Sequence, residues 1–174
     1  MYFDAAQITQ TSWAFSHAEK VAARYYRMSE ERLQGLRYDV KTLAYLEEPE
    51  INERAFAQLC RYKYEPERGG IKKDSFSFYR VCLQDDRILD AVNRTAVFVK
   101  LPPLLFYIAT HELVHVIRFD AGEENFEASW DAKELEEQRV SAITREMLSN
   151  LFYPGLKLIL DCFSDYPQVG NLLN

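Results

Sequence analysis

The stretch Leu101-Pro102-Pro103-Leu104-Leu105-Phe106-Tyr107-Ile108-Ala109-Thr110-His111-Glu112-Leu113-Val114-His115-Val116-Ile117-Arg118 decides how this chain is read. Two prolines suit the first turn of a helix, where an amide N–H has no intrahelical acceptor to lose. The spacing predicts a helix from about Leu104 to Arg118. Its apolar residues (Leu104, Leu105, Phe106, Ile108, Leu113, Val114, Ile117) lie almost all round, so it is expected to be buried. Into that helix the sequence places His111-Glu112-Leu113-Val114-His115, an HExxH motif. Residues i and i+4 stand one turn apart on one helical face, so both imidazoles can reach a single metal ion. Glu112, beside the first histidine, can approach a water at that ion without binding the ion itself. Two nitrogens, a carboxylate and an open position make a catalytic zinc set, so Zn2+ is the expected cofactor. Two histidines and a glutamate on a buried helix need partners, and a cation would satisfy them together. The plainer alternative is a pair of core histidines hydrogen-bonded to neighbours, with Glu112 in a salt bridge.

A third ligand has to come from elsewhere. Metzincins place a glycine and a third histidine shortly after HExxH, but here those places hold Arg118 and Phe119-Asp120-Ala121. The remaining histidine, His17, lies on the Trp13/Val21 stripe and reads as packed or hydrogen-bonded. A carboxylate is therefore expected, from Asp120, Glu123, Glu124, Glu127, Asp131, Glu134, Glu136 or Glu137. A helix from about Ala132 to Leu151 narrows the choice. Its apolar face is Val140, Ile143, Met147 and Leu151, and stepping back at helical spacing lands on Glu136. A glutamate on a core-facing stripe is costly unless paired or metal-bound, so Glu136 ranks first. Glu137, near the edge of that face in line with Ser141 and Leu148, ranks second.

Working outward, residues 1–64 are expected to be helical. The predicted segments are Trp13 to Met28, a helix capped by Ser29 that reaches Leu46, and a third begun by Pro49 through Phe56 and Leu59. Tyr64-Glu65-Pro66-Glu67-Arg68-Gly69-Gly70 is the clearest break. Beyond it Ser75–Leu83 alternates polar and apolar residues as a strand, and Thr95–Val99 is a second β-prone run. Asp86–Val92 fits either strand or helix. Asp120–Asp131 reads as an acidic, solvated connection anchored by Phe126 and Trp130. A last apolar segment ends at Phe163. The layout is α+β, predominantly helical, in a single domain over 1–174, with 71–174 as the metal-binding portion.

Composition limits the partners. Lys plus Arg number 21 against 27 Asp plus Glu, for a net charge of -6 in 174 residues. That balance offers no footprint for nucleic acid and disfavours anionic membranes. The longest apolar run is interrupted by charge and proline, too polar to span a bilayer. Met1 to Gln7 lacks the pattern of a secretory signal, so a cytoplasmic location is expected. Cys60, Cys82 and Cys162 show no CxxC or zinc-finger spacing and read as buried apolar thiols in a reducing compartment.

His111-Glu112-Leu113-Val114-His115 followed by a glutamate on the next helix resembles the gluzincin zinc metallopeptidases. The resemblance covers about Thr95 to Leu148. It implies a zincin-like core: an active-site helix, a small sheet whose edge strand holds extended peptide, and a C-terminal ligand helix. It further implies Zn2+ on His111, His115 and Glu136, Glu112 as general base, and a peptide or protein substrate. Ser75–Leu83 or Thr95–Val99 would supply the edge strand, and Tyr107 or Tyr153 a donor to the oxyanion. Thermolysin-type enzymes carry Ser-Asp three and four positions after the ligand glutamate. Here Glu136 is followed there by Arg139 and Val140, and Glu137 by Val140 and Ser141. The competing functions are a non-catalytic regulatory or interaction protein with a structural metal, and a metal-free helical domain in which HExxH is accidental.

Overall fold

The computed structural model describes residues 1–64, 67–68, 71–72, 76–95 and 98–163. In chain order the elements are α1 (Ala5–Tyr26), α2 (Glu30–Gly35), β1 (Tyr38–Lys41), β2 (Ala57–Tyr64), the short pair β3 (Glu67–Arg68) and β4 (Ile71–Lys72), and β5 (Phe76–Leu83). Then follow α3 (Asp85–Arg94), α4 (Leu101–Asp120), α5 (Trp130–Ser149) and α6 (Leu156–Phe163). The result is α+β, with a three-stranded sheet of order β1-β5-β2 beside the helices.

The architecture is organised round α4, which is buried without interruption from Pro103 to Arg118. Helix α1 lies along it and buries Thr11, Ala14, Phe15, Ala18 and Ala22. Alanines four apart form a shallow face, which lets the two helices approach closely. Of the Trp13/Val21 stripe, Val21 packs partly buried against the core, whereas Trp13 lies at the rim of that face. Trp13 stacks on His17 with ring centroids 3.9 Å apart and leans on Tyr153 at 5.5 Å. Helix α6 closes another side, where Phe163 meets Tyr107 and Phe56 at 6.1 and 5.8 Å. The turn into α6 needs Gly155, at φ +82, and a Cβ there would meet Pro103 Cγ at 3.2 Å.

Residues 1–64 are only partly helical, which corrects two expectations. The helix capped by Ser29 ends at Gly35, and Tyr38–Lys41 forms β1, parallel to β5 with Val40 opposite Val81. Pro49 sits in one 3-10 turn, Glu48–Glu50, and Ala57–Tyr64 forms β2, antiparallel to β5. In both cases pairing with β5 overrides local helical spacing, since short apolar runs suit either state. Ser75–Leu83 contains β5, but as the central strand, so both of its edges are taken. Of Thr95–Val99, Ala96 and Val97 lie outside the described residues, while Thr95 closes α3 and Phe98 and Val99 belong to no strand. Asp86–Val92 resolves as α3.

Cys82 is buried and Cys60 partly so, but Cys162 is exposed on α6, against expectation; all three are free thiols. No described helix is long and apolar enough to cross a membrane.

Glu50, 2% exposed, ties the 3-10 turn to the sheet. Its carboxylate accepts from the Tyr62 hydroxyl, from Arg80 at 3.1 Å and from the Glu47 amide at 2.9 Å. Burial works against the charge, but these donors outweigh it and hold the Glu50 carboxyl below its ordinary value. A depressed folded value means stability present at neutral pH and lost as pH falls through it. Glu50→Gln should therefore cost about 2 kcal/mol at pH 7, a loss typical of hydrogen bonds to a charged group. Urea titrations should show the gap between the two proteins closing below roughly pH 4, once the wild-type carboxylate is also neutral.

Candidate metal centre

Helix α5, capped by Ser129, folds back against α4. Three buried residues of α4 face it on successive turns: His111, His115 and Arg118. Opposite them stand two consecutive acids, Glu136 and Glu137, which point a helical step of about 100° apart and so meet different partners.

Glu137 reaches both histidines. Its Oε2 lies 3.3 Å from His111 Nε2 and its Oε1 lies 3.0 Å from His115 Nε2. The ligand atoms of His111, His115 and Glu137 all fall within 4.8 Å of one another. Ligands about 2.1 Å from a tetrahedral zinc stand about 3.4 Å apart, so the spacing suits such an ion with little movement. The donor chemistry suits it as well, with two imidazoles and one carboxylate in a nearly dry site. The Glu137 side chain, 33% exposed, is the open side; those of His111 and His115 are 4% and 7% exposed.

A second carboxylate approaches from behind. Glu124 Oε2 lies 3.2 Å from His115 Nδ1. Burial opposes charge on His115, yet Glu124 and Glu137 outweigh it and push the imidazole up to about 10. Burial likewise opposes charge on Glu137, but the two histidines hold its carboxyl well below the usual carboxylate range. The proton held on His115 thus supplies positive charge between the two acids. Glu112 is pushed the other way: burial raises its carboxyl, only partly countered by the histidines. His111 Nδ1 is buried with no hydrogen-bond partner among the described residues.

Glu136 is buried as expected, but its partners are cations. It accepts from Arg118 Nε and, at 2.9 Å, from Arg139. The expected order of the two glutamates is thus reversed: the structure brings Glu137, not Glu136, to the histidines. Arg118 carried the missed signal. A buried guanidinium one turn past His115 claims one of two adjacent acids and leaves the other for the imidazoles. Tyr107 packs wholly buried beneath His111, its hydroxyl without a partner among the described residues. Tyr153 belongs to the aromatic group of Trp13 and Phe106, and His17 bonds the Trp13 carbonyl at 3.0 Å. Phe126 anchors the acidic connection against Phe119 at 5.1 Å, whereas Trp130 is 69% exposed and does not.

No protein-family model, curated protein or solved structure matches the chain.

The two glutamates should separate in a metal titration. Wild type should hold about one Zn2+ per chain after dialysis, a stoichiometry set by one ligand group. Glu137→Ala should lose it. Glu136→Ala should keep the zinc but lose roughly 3 kcal/mol of stability, because Arg118 would stay buried without its main counter-ion. Elemental analysis and denaturant unfolding check the two halves separately.

Proposed function

We propose that this protein is a zinc-dependent hydrolase of peptide bonds, with His111, His115 and Glu137 holding the metal and Glu112 as general base. The observation that carries it is the meeting of both HExxH histidines with one carboxylate of the next helix. A structural site has no use for the unspent glutamate that this helix carries beside its first ligand. Zn2+, when bound, supplies Lewis acidity toward a carbonyl oxygen and acidifies water.

The chain's own residues do the rest. Glu112, its proton affinity raised by burial, takes a proton from the attacking water and passes it to the leaving amine. Glu137 leaves the site open on its exposed side. With β5 central, an extended peptide would pair with an outer strand of the sheet, and β2 is the better placed. Arg61 and Lys63 of β2 are already tied to Glu127 of the connection that follows α4, at 2.9 and 3.4 Å. That tie puts the strand edge and the metal-binding helices in one structural unit.

The small exposure of His111, Glu112 and His115 favours a second reading, a regulatory or interaction protein whose metal is structural. The proton-transfer role separates the two. Glu112→Gln should bind zinc like wild type and lower peptide turnover by roughly 10²–10⁴-fold, the usual worth of a general base. Peptide-library cleavage read by mass spectrometry, with zinc content measured on the same samples, checks it. A zinc-loaded wild type that cleaves nothing would favour the structural metal.

A further inference from the structure

The structure assigns Glu124 as a positioning residue, the carboxylate that fixes His115 for metal; this rests on the metal centre proposed above. His115 makes two contacts, Nε2 to Glu137 at 3.0 Å and Nδ1 to Glu124 at 3.2 Å. An ionised carboxylate only accepts, so Nδ1 carries a proton that it donates to Glu124. With metal present, Nε2 is then the ring atom left to bind it, and the imidazole plane is set from behind.

Placing a carboxylate here has a cost that the His115 contact explains. The Glu124 side chain is 9% exposed although it belongs to a surface connection, and a buried carboxylate needs a partner. The backbone on either side is held. Gly122, at φ +71, turns the chain after α4, and the Glu123 amide donates to the Arg118 carbonyl at 2.9 Å. On the other side Phe126 sits between Phe119 and the Arg61 guanidinium, which stands 4.9 Å from its ring. Glu127 pairs with Arg61 at 2.9 Å. The connection is thus a brace between α4 and β2 that delivers one acid inward. The two histidines differ in consequence: His115 is oriented by a carboxylate, while His111 Nδ1 has no such partner among the described residues.

Zinc affinity by competition with a chromophoric chelator tests this on the full chain, in wild type, Glu124→Ala, Glu124→Gln and Glu123→Ala. Glu124→Ala should bind zinc 10- to 100-fold more weakly, roughly the loss seen when a partner of a metal-bound histidine is removed. Glu124→Gln should lose less, because its amide oxygen still accepts from Nδ1–H. Glu123→Ala should stay within about twofold, since that residue is 54% exposed and its pair is with Arg118. Proton NMR of the zinc-loaded proteins supplies a readout that folding alone does not move. The His115 Nδ1–H signal should persist in wild type and Glu124→Gln and vanish in Glu124→Ala. If Glu124→Ala does not fold, Glu124→Gln and its NMR signal decide. Wild type that holds zinc, with both Glu124 variants binding equally tightly, would overturn this assignment alone. Wild type that takes up no zinc would overturn the metal centre and this assignment with it.

Discussion

Burying one helix on every side is the constraint on which the rest of this structure depends. Once Pro103 to Arg118 are enclosed by α1, α5, α6 and the sheet, every polar atom on α4 must find its partner inside the protein. The surrounding elements answer most of that demand, leaving His111 Nδ1 and the Tyr107 hydroxyl without a partner among the described residues. Small alanines on α1 let it close one flank without adding polar groups. The flank facing α5 carries the chemistry, because His111, His115 and Arg118 are presented there in succession. A carboxylate meets each of them: Glu137 for the two imidazoles, Glu136 for the guanidinium, and Glu124 and Glu123 from the connection between the helices.

The division of labour between Glu136 and Glu137 links packing to function. Arg118 and Glu136 form a buried ion pair between α4 and α5. Such pairs contribute little net stability compared with apolar packing, but breaking one is costly. The next residue, Glu137, faces the histidines. A carboxylate between two imidazoles in a dry site is an arrangement that a proton or a metal cation can complete. Donor type and spacing together are those of a group that could hold a metal ion.

Much of this was legible in the sequence, and the parts that were not have physical causes. The HExxH helix, its burial and the acid-bearing partner helix all follow from periodicity and from two prolines, because the segments are long and strongly patterned. The choice between Glu136 and Glu137 was not legible in that way. The apolar stripe located the buried face of α5 correctly, but a face is wider than one residue, and periodicity does not show that Arg118 competes for the buried acid. The strands β1 and β2 escaped because Tyr38–Lys41 and Ala57–Tyr64 take their structure from β5, a partner distant in sequence. Glu124 escaped because its place depends on how Gly122 and Phe126 bend a connection that has no periodicity to read.

Zinc K-edge X-ray absorption on the zinc-reconstituted protein tests the central claim most directly, since it reports the atoms around the ion. The account predicts a nitrogen and oxygen shell at about 2.0–2.1 Å, imidazole scattering from two histidines, and no sulfur. A sulfur shell near about 2.3 Å, from Cys60 and Cys82, or an all-oxygen shell without imidazole, would contradict it.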